Sequence, residues 1–276
     1  MNPADGTLPA TLSTKLVGIE ATGLTKVFQD RRAGDVVAAC GITFSSFHGE
    51  VLGLLGPNGA GKTTTLRMLS TVLRPTSGSA VIAGHEILTD AIGVRRSMGY
   101  LSSSTGLYGR LTPSETLEYF GHLHGLGGDA LRERVGQLLE AFGISEFAGV
   151  RCEKLSTGMK QKVSIARTLI HDPPVLILDE PTLGLDILAA STMIRFIEDC
   201  RANGKCIIFS THIMSEVERL CDRIAIIHKG QLCAVGTLEE LRQKTGHHYM
   251  EEIFMSLVEA RHSEPGNGEQ RIKNGE

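Results

Sequence analysis

The amino-acid sequence predicts an α/β fold built on a mostly parallel β-sheet. Four short stretches are almost wholly apolar, as in strands that are covered on both faces: Glu50–Leu55, Val175–Asp179, Cys206–Ser210 and Ile224–Ile227. Between the second and the third, residues 187–197 place apolar side chains at helical spacing. Strands that alternate with helices are typical of a parallel sheet that packs helices on its faces.

A middle segment, about residues 93–172, departs from this alternation. From Thr112 onward it contains no convincing strand, and Thr112–Glu115 is a capping box with proline at the first helical position. Apolar residues between 131 and 142 recur at helical spacing. We therefore interpret residues 93–172 as a helical subdomain inserted into the α/β core.

The two ends of the chain differ in composition from the rest. Residues 1–16 are small and polar, and residues 261–276 are rich in glycine and charge. Such segments bury too little apolar surface to fold, so both are predicted to be disordered tails. Residues 17–260 then form one domain, in which each motif described below occurs once.

Composition narrows the classes of function. The 276 residues carry a formal net charge of −3, which argues against general binding of nucleic acid. None of the six cysteines forms a C-x-x-C pair, so reduced thiols are expected rather than a disulfide framework. No signal peptide is recognisable, and no apolar run approaches the ~20 residues that span a bilayer. A function at a membrane would therefore require a partner protein.

A phosphate-binding motif follows the first of these predicted strands. The pattern G-x-x-x-x-G-K-[ST] is matched by Gly56, Pro57, Asn58, Gly59, Ala60, Gly61, Lys62, Thr63 and Thr64, which we call the phosphate loop. Its glycines let backbone N–H groups surround a phosphate, and the helix that follows directs its positive end at the anion. Lys62 offers a charge to the β- and γ-phosphates, and Thr63 offers a hydroxyl to Mg²⁺. A chance glycine-rich turn is disfavoured because the motif lies between a strand and a helix.

Two adjacent carboxylates end a later predicted strand. Asp179 and Glu180 follow an apolar run, and neighbouring residues on a strand point to opposite sides. Asp179 is therefore expected to face the metal, while Glu180 faces another space in which it activates water. The alternative is a solvated acidic pair at a strand end. The phosphate loop earlier in the chain argues against this interpretation.

One histidine lies where ligands bind in open α/β sheets. His212 follows the predicted strand Cys206–Ser210, just past its carboxyl end. We expect it to hydrogen-bond the γ-phosphate, although a lone histidine is more often an ordinary polar residue. The pairs His247–His248 and His122–His124 lack further spaced ligands and are interpreted as surface or structural residues.

A second anion site is indicated by the run Leu155–Gln161. Ser156 is a good N-cap for a helix over residues 162–170, and Gly158 lies close to the start of that helix. A capped helix start also attracts anions. A chain with one phosphate loop has no need of another such site unless the second serves a different molecule.

With these motifs in this order, residues 17–258 resemble the ATP-binding subunits of ABC transporters. The family signature Leu-Ser-Gly-Gly-Gln reads here as Leu155–Met159, a variant that resembles the branch pairing with ABC-2-type permeases. The resemblance implies a P-loop NTPase core, an antiparallel β subdomain near the N-terminus and an inserted helical subdomain. It also implies that Asp186 lies at a dimer interface and that Phe28 stacks on adenine, with a core phenylalanine as the alternative.

One position departs from the family pattern. Where the family has a glutamine that touches metal and water, this chain aligns Ser103, which would reach the metal only through water. The hydrolytic residues are retained, whereas the usual contact that couples nucleotide state to the permease is in doubt. The run of residues 101–112 looks most like sodium-extrusion-type exporters, which favours a Na⁺ or drug exporter.

The resemblance also implies cofactors, partners and a location. ATP and Mg²⁺ are expected as cofactors, with Glu180, His212 and Lys62 as catalytic residues. A second copy is expected to bind head to tail with ATP between the chains, and a separate permease to hold the subunit peripherally at the cytoplasmic side of the membrane. Alternatives are an ABC ATPase acting on ribosomes or DNA and a P-loop kinase. The single domain argues against the ribosome-acting type, and the lack of a recognisable coiled-coil or zinc module argues against the DNA-acting type. The Leu-Ser-x-Gly run argues against a kinase.

Overall fold

A six-stranded sheet forms the centre of the molecule. The computed structural model describes residues 16–29, 34–102 and 106–263. Across the sheet the order is β10-β9-β3-β8-β7-β6. The strands are β3 (Val51–Leu55), β6 (Met98–Ser102), β7 (Val175–Asp179), β8 (Cys206–Thr211), β9 (Arg223–His228) and β10 (Gln231–Gly236). All neighbours are parallel except β9 and β10. Strands β3, β7 and β8 are buried along their whole length, which explains their continuous apolar sequence.

A second, antiparallel sheet lies near the N-terminus. Its order is β2-β1-β4-β5, with β1 (Val17–Phe28), β2 (Val36–Phe47), β4 (Ser77–Ile82) and β5 (His85–Glu86). Its buried face packs with helix α1 (Lys62–Leu69) and the main sheet in one apolar core. The antiparallel β subdomain and the mostly parallel sheet are thus both confirmed, and the α/β fold class with them.

Helix α1 is shorter than its apolar pattern indicates. The pattern Leu66, Leu69, Leu73 predicts a helix to residue 73, whereas α1 ends at Leu69. Thr71 adopts a left-handed conformation with φ +57°, which cannot continue a right-handed helix. Leu73 still packs against the core, from the turn that follows. The buried position was predicted correctly and the helical assignment was wrong.

The segment predicted as a helical insertion, residues 93–172, contains a strand of the main sheet near its start. After α2 (Ala91–Ser97), strand β6 pairs with β7 at the sheet edge. Three longer helices follow, α3 (Pro113–Leu123), α4 (Gly128–Ala141) and α5 (Thr157–Thr168). The Thr112 capping box is present, because its hydroxyl accepts from the Glu115 N–H and that carboxylate accepts from the Thr112 N–H. Helix α5 begins at Thr157, five residues earlier than predicted, because Ser156 caps it directly.

Four helices follow β7 among the residues that the structure describes. They are α6 (Ile187–Ala202), α7 (Met214–Leu220), α8 (Leu238–Thr245) and α9 (Met250–Ser263). Helix α9 extends into the stretch 261–276 that was predicted to be disordered, where the Arg261 guanidinium donates to the Gln231 side-chain oxygen at 3.0 Å. In the part of the chain that the structure describes, no helix is both long and apolar enough to cross a membrane.

Candidate active site

The phosphate loop joins β3 to α1, and two of its glycines are required by neighbouring backbone. A Cβ on Gly56 would lie 2.2 Å from the Ile227 carbonyl oxygen, and one on Gly61 would lie 2.4 Å from the Ala38 carbonyl oxygen. Gly61 also has φ +103°, a conformation that side chains disfavour. Gly59 has φ +78° but open space around it. The loop is thus shaped by contacts with β9 and β2 as well as by its own turns.

The turn between β9 and β10 is hydrogen-bonded to the backbone of the phosphate loop. The Gly230 N–H donates to the Ala60 carbonyl at 2.9 Å, and the Gly230 carbonyl accepts from the Cys40 N–H at 2.7 Å. Gly230 has φ +75° and lies against the Ala38 backbone. Sequence reasoning did not identify this support, since the residues lie far from the loop along the chain.

The Lys62 side chain lies inside the loop. Its ammonium donates to the Gly56 carbonyl at 2.7 Å and to the Pro57 carbonyl at 3.2 Å. It is also 3.4 Å from Glu180 Oε1. Only 4% of the side chain is exposed, so these contacts fix the position of the charge. An anion seated in the loop would meet a lysine that is already oriented.

Asp179 ends β7 directly beside the loop. Its Oδ1 accepts hydrogen bonds from the Thr63 hydroxyl at 3.0 Å and from the Ser210 hydroxyl at 2.8 Å. The carboxylate is almost fully buried, so both bonds form away from water. The predicted metal-binding pair of Thr63 and Asp179 is therefore brought together by α1 and β7.

Glu180 lies beside the same loop, directly after β7 ends at Asp179, and adopts φ +48°. Strand alternation predicts that it faces another space than Asp179, and the two carboxylates contact different side chains: Asp179 contacts Thr63 and Ser210, and Glu180 contacts Lys62 and His212. The Glu180 N–H donates to the Ser210 hydroxyl at 3.0 Å. Its Oε1 lies between Lys62 Nζ at 3.4 Å and His212 Nδ1 at 3.5 Å. A non-glycine residue held in this conformation is typical of a functional site.

Ser156, Gly158 and Asp186 form a second group away from the phosphate loop. Ser156 Oγ accepts from the Met159 N–H and caps α5, while Asp186 caps α6 by accepting from the Ala189 N–H. A Cβ on Gly158 would lie 3.8 Å from Ala189. A groove of about 260 Å³ separates the two helices, and the described residues lining it include none from the loop.

Phe28 and Ser103 differ in what the structure describes of them. Phe28 ends β1 opposite Val36 and is 42% exposed, so it is not the core phenylalanine that was the alternative. The Lys26 ammonium lies 5.3 Å from its ring centroid. Ala38 lies two residues after Val36 on β2, and its backbone contacts the phosphate loop at Gly61. Phe28 therefore lies at the same end of the molecule as the phosphate loop. Ser103 lies outside the described residues.

Sequence reasoning overlooked two side chains that organise the site. Ser210 bridges the Asp179 carboxylate and the Glu180 N–H, and its position at the end of β8 was the only available signal. Gln161 lies in the run already noted for Ser156, yet its contact is with the backbone of Pro181, next to Glu180. Both contacts join elements that only the fold brings together.

Comparison with known proteins agrees with this geometry. The family model described as "ABC transporter" matches residues 40–183. The ABC transporter ATP-binding protein NatA of Bacillus subtilis (strain 168) is 40% identical over 241 residues, which are 87% of this chain and 98% of NatA. The probable multidrug ABC transporter ATP-binding protein YbhF of Escherichia coli (strain K12) is 37% identical over 245 residues. These cover 87% of this chain and 41% of YbhF.

Solved structures share the fold. A structure of an ATP-binding subunit of an ABC transporter superposes with a TM-score of 0.78 at 32% identity, covering 87% of this chain and 99% of the other. A dimeric ATP-binding cassette in a post-hydrolysis state, bound to ADP and Pi, gives a TM-score of 0.72 at 24% identity over 79% and 98% of the two chains. That second likeness concerns the fold alone. The chain belongs to the ABC transporter family, as an ATP-binding subunit that hydrolyses ATP.

Proposed function

We propose that this chain powers an exporter, acting with a separate ABC-2-type permease that carries Na⁺ or drug-like substrates. The observation that supports it most is the convergence of Lys62, Glu180 and His212 beside the phosphate loop. The choice of cargo rests on the relatives, one named NatA and one named a probable multidrug transporter protein. The net charge of −3 fits a protein partner better than nucleic acid.

We assign the steps of hydrolysis to three side chains. Glu180 accepts the proton of the attacking water, because its carboxylate lies beside the phosphate loop. Lys62 binds the β- and γ-phosphate oxygens in place of the loop carbonyls that it now contacts. His212 donates to a γ-phosphate oxygen, where negative charge is spread in the transition state. Phe28, half-exposed near the loop, stacks on the adenine.

Thr63 and Asp179 are the residues that would hold Mg²⁺. Their oxygens lie 3.0 Å apart, and a hydroxyl with a carboxylate is the kind of ligand pair that hard cations prefer. When bound, the ion would offset the charge of the β- and γ-phosphates. Ser103, which lies outside the described residues, remains a prediction as a ligand that acts through water.

Ser156 and Gly158 are proposed to cap the nucleotide of a second copy. They lie on α5, apart from the loop of their own chain, so a head-to-tail arrangement brings them to the partner's ATP. The dimeric cassette solved with ADP and Pi supports such a pairing for this fold. Asp186, at the start of α6 beside the same groove, would lie at the interface. Loss of the γ-phosphate then removes a contact between chains and opens the dimer.

The subunit is expected to lie peripherally at the cytoplasmic side of the cell membrane, held there by its permease. The test of this location and of the cargo is transport into vesicles that contain the cognate permease, with Na⁺ and hydrophobic drugs compared. ATP-dependent uptake of one class supports an exporter. Full ATPase activity with no transported species in the presence of the permease would contradict it.

The catalytic assignment is tested by Glu180→Gln. The amide cannot accept the proton, so turnover should fall by a factor of about 100 or more while ATP still binds. A dimer should accumulate with ATP and Mg²⁺, measured by light scattering after size-exclusion chromatography. Glu133→Gln, on the exposed face of α4, is the matched control and should hydrolyse ATP like the parent chain. Normal turnover by Glu180→Gln would remove Glu180 from its role.

A further inference from the structure

A side chain on α5 holds the backbone next to the proposed catalytic glutamate. The Gln161 amide donates to the Pro181 carbonyl at 3.0 Å, in a partly buried position. Gln161 lies five residues after Ser156, on the first turns of the helix that Ser156 caps. Pro181 follows Glu180 directly. One hydrogen bond thus connects the capped end of α5 to the turn that carries Glu180.

The segment from Glu180 to α6 is short and internally bonded. The Leu183 N–H donates to the Glu180 carbonyl at 3.2 Å, and the Leu185 N–H donates to the Thr182 carbonyl at 3.1 Å. These bonds make two consecutive turns, so a displacement at Pro181 is passed on to its neighbours. Among these residues Thr182 is buried whereas Leu183 is about half exposed.

The far end of that segment meets α5 a second time. Asp186 caps α6, and the first turn of that helix packs near Gly158, whose added Cβ would lie 3.8 Å from Ala189. This second approach is of van der Waals type, whereas Gln161, which lines the same groove, makes a hydrogen bond. Gln161 is therefore the directional link between α5 and Glu180.

We propose that Gln161 is a positioning residue that connects the two nucleotide sites of the dimer. This rests on the head-to-tail arrangement proposed above. In that arrangement the Ser156 end of α5 meets the nucleotide of the partner, whereas Glu180 acts on the nucleotide of its own chain. A bond from Gln161 to Pro181 then makes the geometry of one site depend on occupancy of the other.

The chemistry of the contact defines the variants. A carbonyl oxygen accepts only, so the side chain at position 161 must donate. Gln161→Glu has the same shape but replaces the donor with a carboxylate oxygen, which repels the carbonyl of Pro181. Gln161→Lys keeps a donor that can reach the same carbonyl. Gln137→Glu is the control, since that amide is exposed on α4, where it donates to Glu133.

The experiment measures ATP hydrolysis against ATP concentration for the parent chain and these three variants. We expect a Hill coefficient above 1 for the parent, Gln161→Lys and Gln137→Glu, and a value of about 1 for Gln161→Glu. Binding of a fluorescent ATP analogue to dilute, monomeric protein should be the same for all four, because the phosphate loop is unchanged. A merely structural role would not separate glutamate from lysine in this way.

The inference is overturned if Gln161→Glu keeps the Hill coefficient of the parent, or if Gln161→Lys loses cooperativity to the same degree. Should Gln161→Glu fail to fold, the comparison of Gln161→Lys with Gln161→Met decides in the same manner, because methionine has no donor. If the proposed function itself is wrong, the result is different: the parent chain would then form no ATP-dependent dimer.

Discussion

Ser210 provides the sharpest test of how the fold builds the site. It is fully buried at the end of β8, donates to Asp179 Oδ1 at 2.8 Å and accepts from the Glu180 N–H at 3.0 Å. In Ser210→Ala, the partners left among the described residues are the Thr63 hydroxyl for Asp179 and the backbone carbonyl of residue 210, at 3.2 Å, for the Glu180 N–H. A hydrogen bond to a charged group contributes about 1.5–3 kcal/mol and a neutral one about 1 kcal/mol.

The expected loss of stability is therefore roughly 2.5–4 kcal/mol. In a domain of this size each kcal/mol lowers Tm by about 2–4 °C, so Tm should fall by roughly 5–16 °C. Catalysis should suffer as well, because Glu180 loses a contact that holds its φ at +48°. A misplacement of about 1 Å reduces turnover by a factor of roughly 100.

Thermal unfolding followed by circular dichroism measures the first effect, and phosphate release at saturating ATP measures the second. Ser70→Ala is the matched control, since Ser70 is also buried but its hydroxyl donates to the Arg67 carbonyl of the adjoining helix α1. Equal Tm shifts in the two variants, with turnover unchanged in Ser210→Ala, would refute the assignment of Ser210 as the bridge between the Asp179 carboxylate and the Glu180 N–H.

Two further predictions concern the loop and the response to pH. Gly61→Ala should weaken ATP binding at least about tenfold, because its Cβ would meet the Ala38 carbonyl and its φ is unfavourable; Gly59→Ala, where space is open, should weaken it less. Equal binding constants by fluorescence titration would contradict this. Burial, and then the neighbouring His124, lowers the pKa of His171 from 6.5 to about 4. The folded state thus favours neutral His171. The stability that this preference contributes is present above pH 6.5 and is lost as the pH falls toward 4. Tm should therefore decline more between pH 7.5 and 5 for the parent than for His171→Gln, and parallel profiles would exclude the effect.

Much of the fold could be predicted from local sequence. The strands β3, β7 and β8 are buried on both faces, so their apolar runs were informative without any knowledge of partners. Strand β6 was overlooked because five residues at a sheet edge, one of them glycine, show no period of their own. The early end of α1 was overlooked because Leu73 is buried although it is not helical. The helical spacing of apolar residues therefore continues past the end of the helix.

The sequence by itself determined the chemistry of this protein. The phosphate loop, the acidic pair and the Leu-Ser-x-Gly run are local patterns, and each is specific because its residues act within a few positions of one another. Only the tertiary structure decided how these groups face each other: Glu180 beside Lys62, Ser210 between two carboxyl-bearing residues, and Gln161 on Pro181. The physical reason is that such contacts join segments far apart in the chain, whose approach depends on strand order, crossover and packing rather than on any period within a segment.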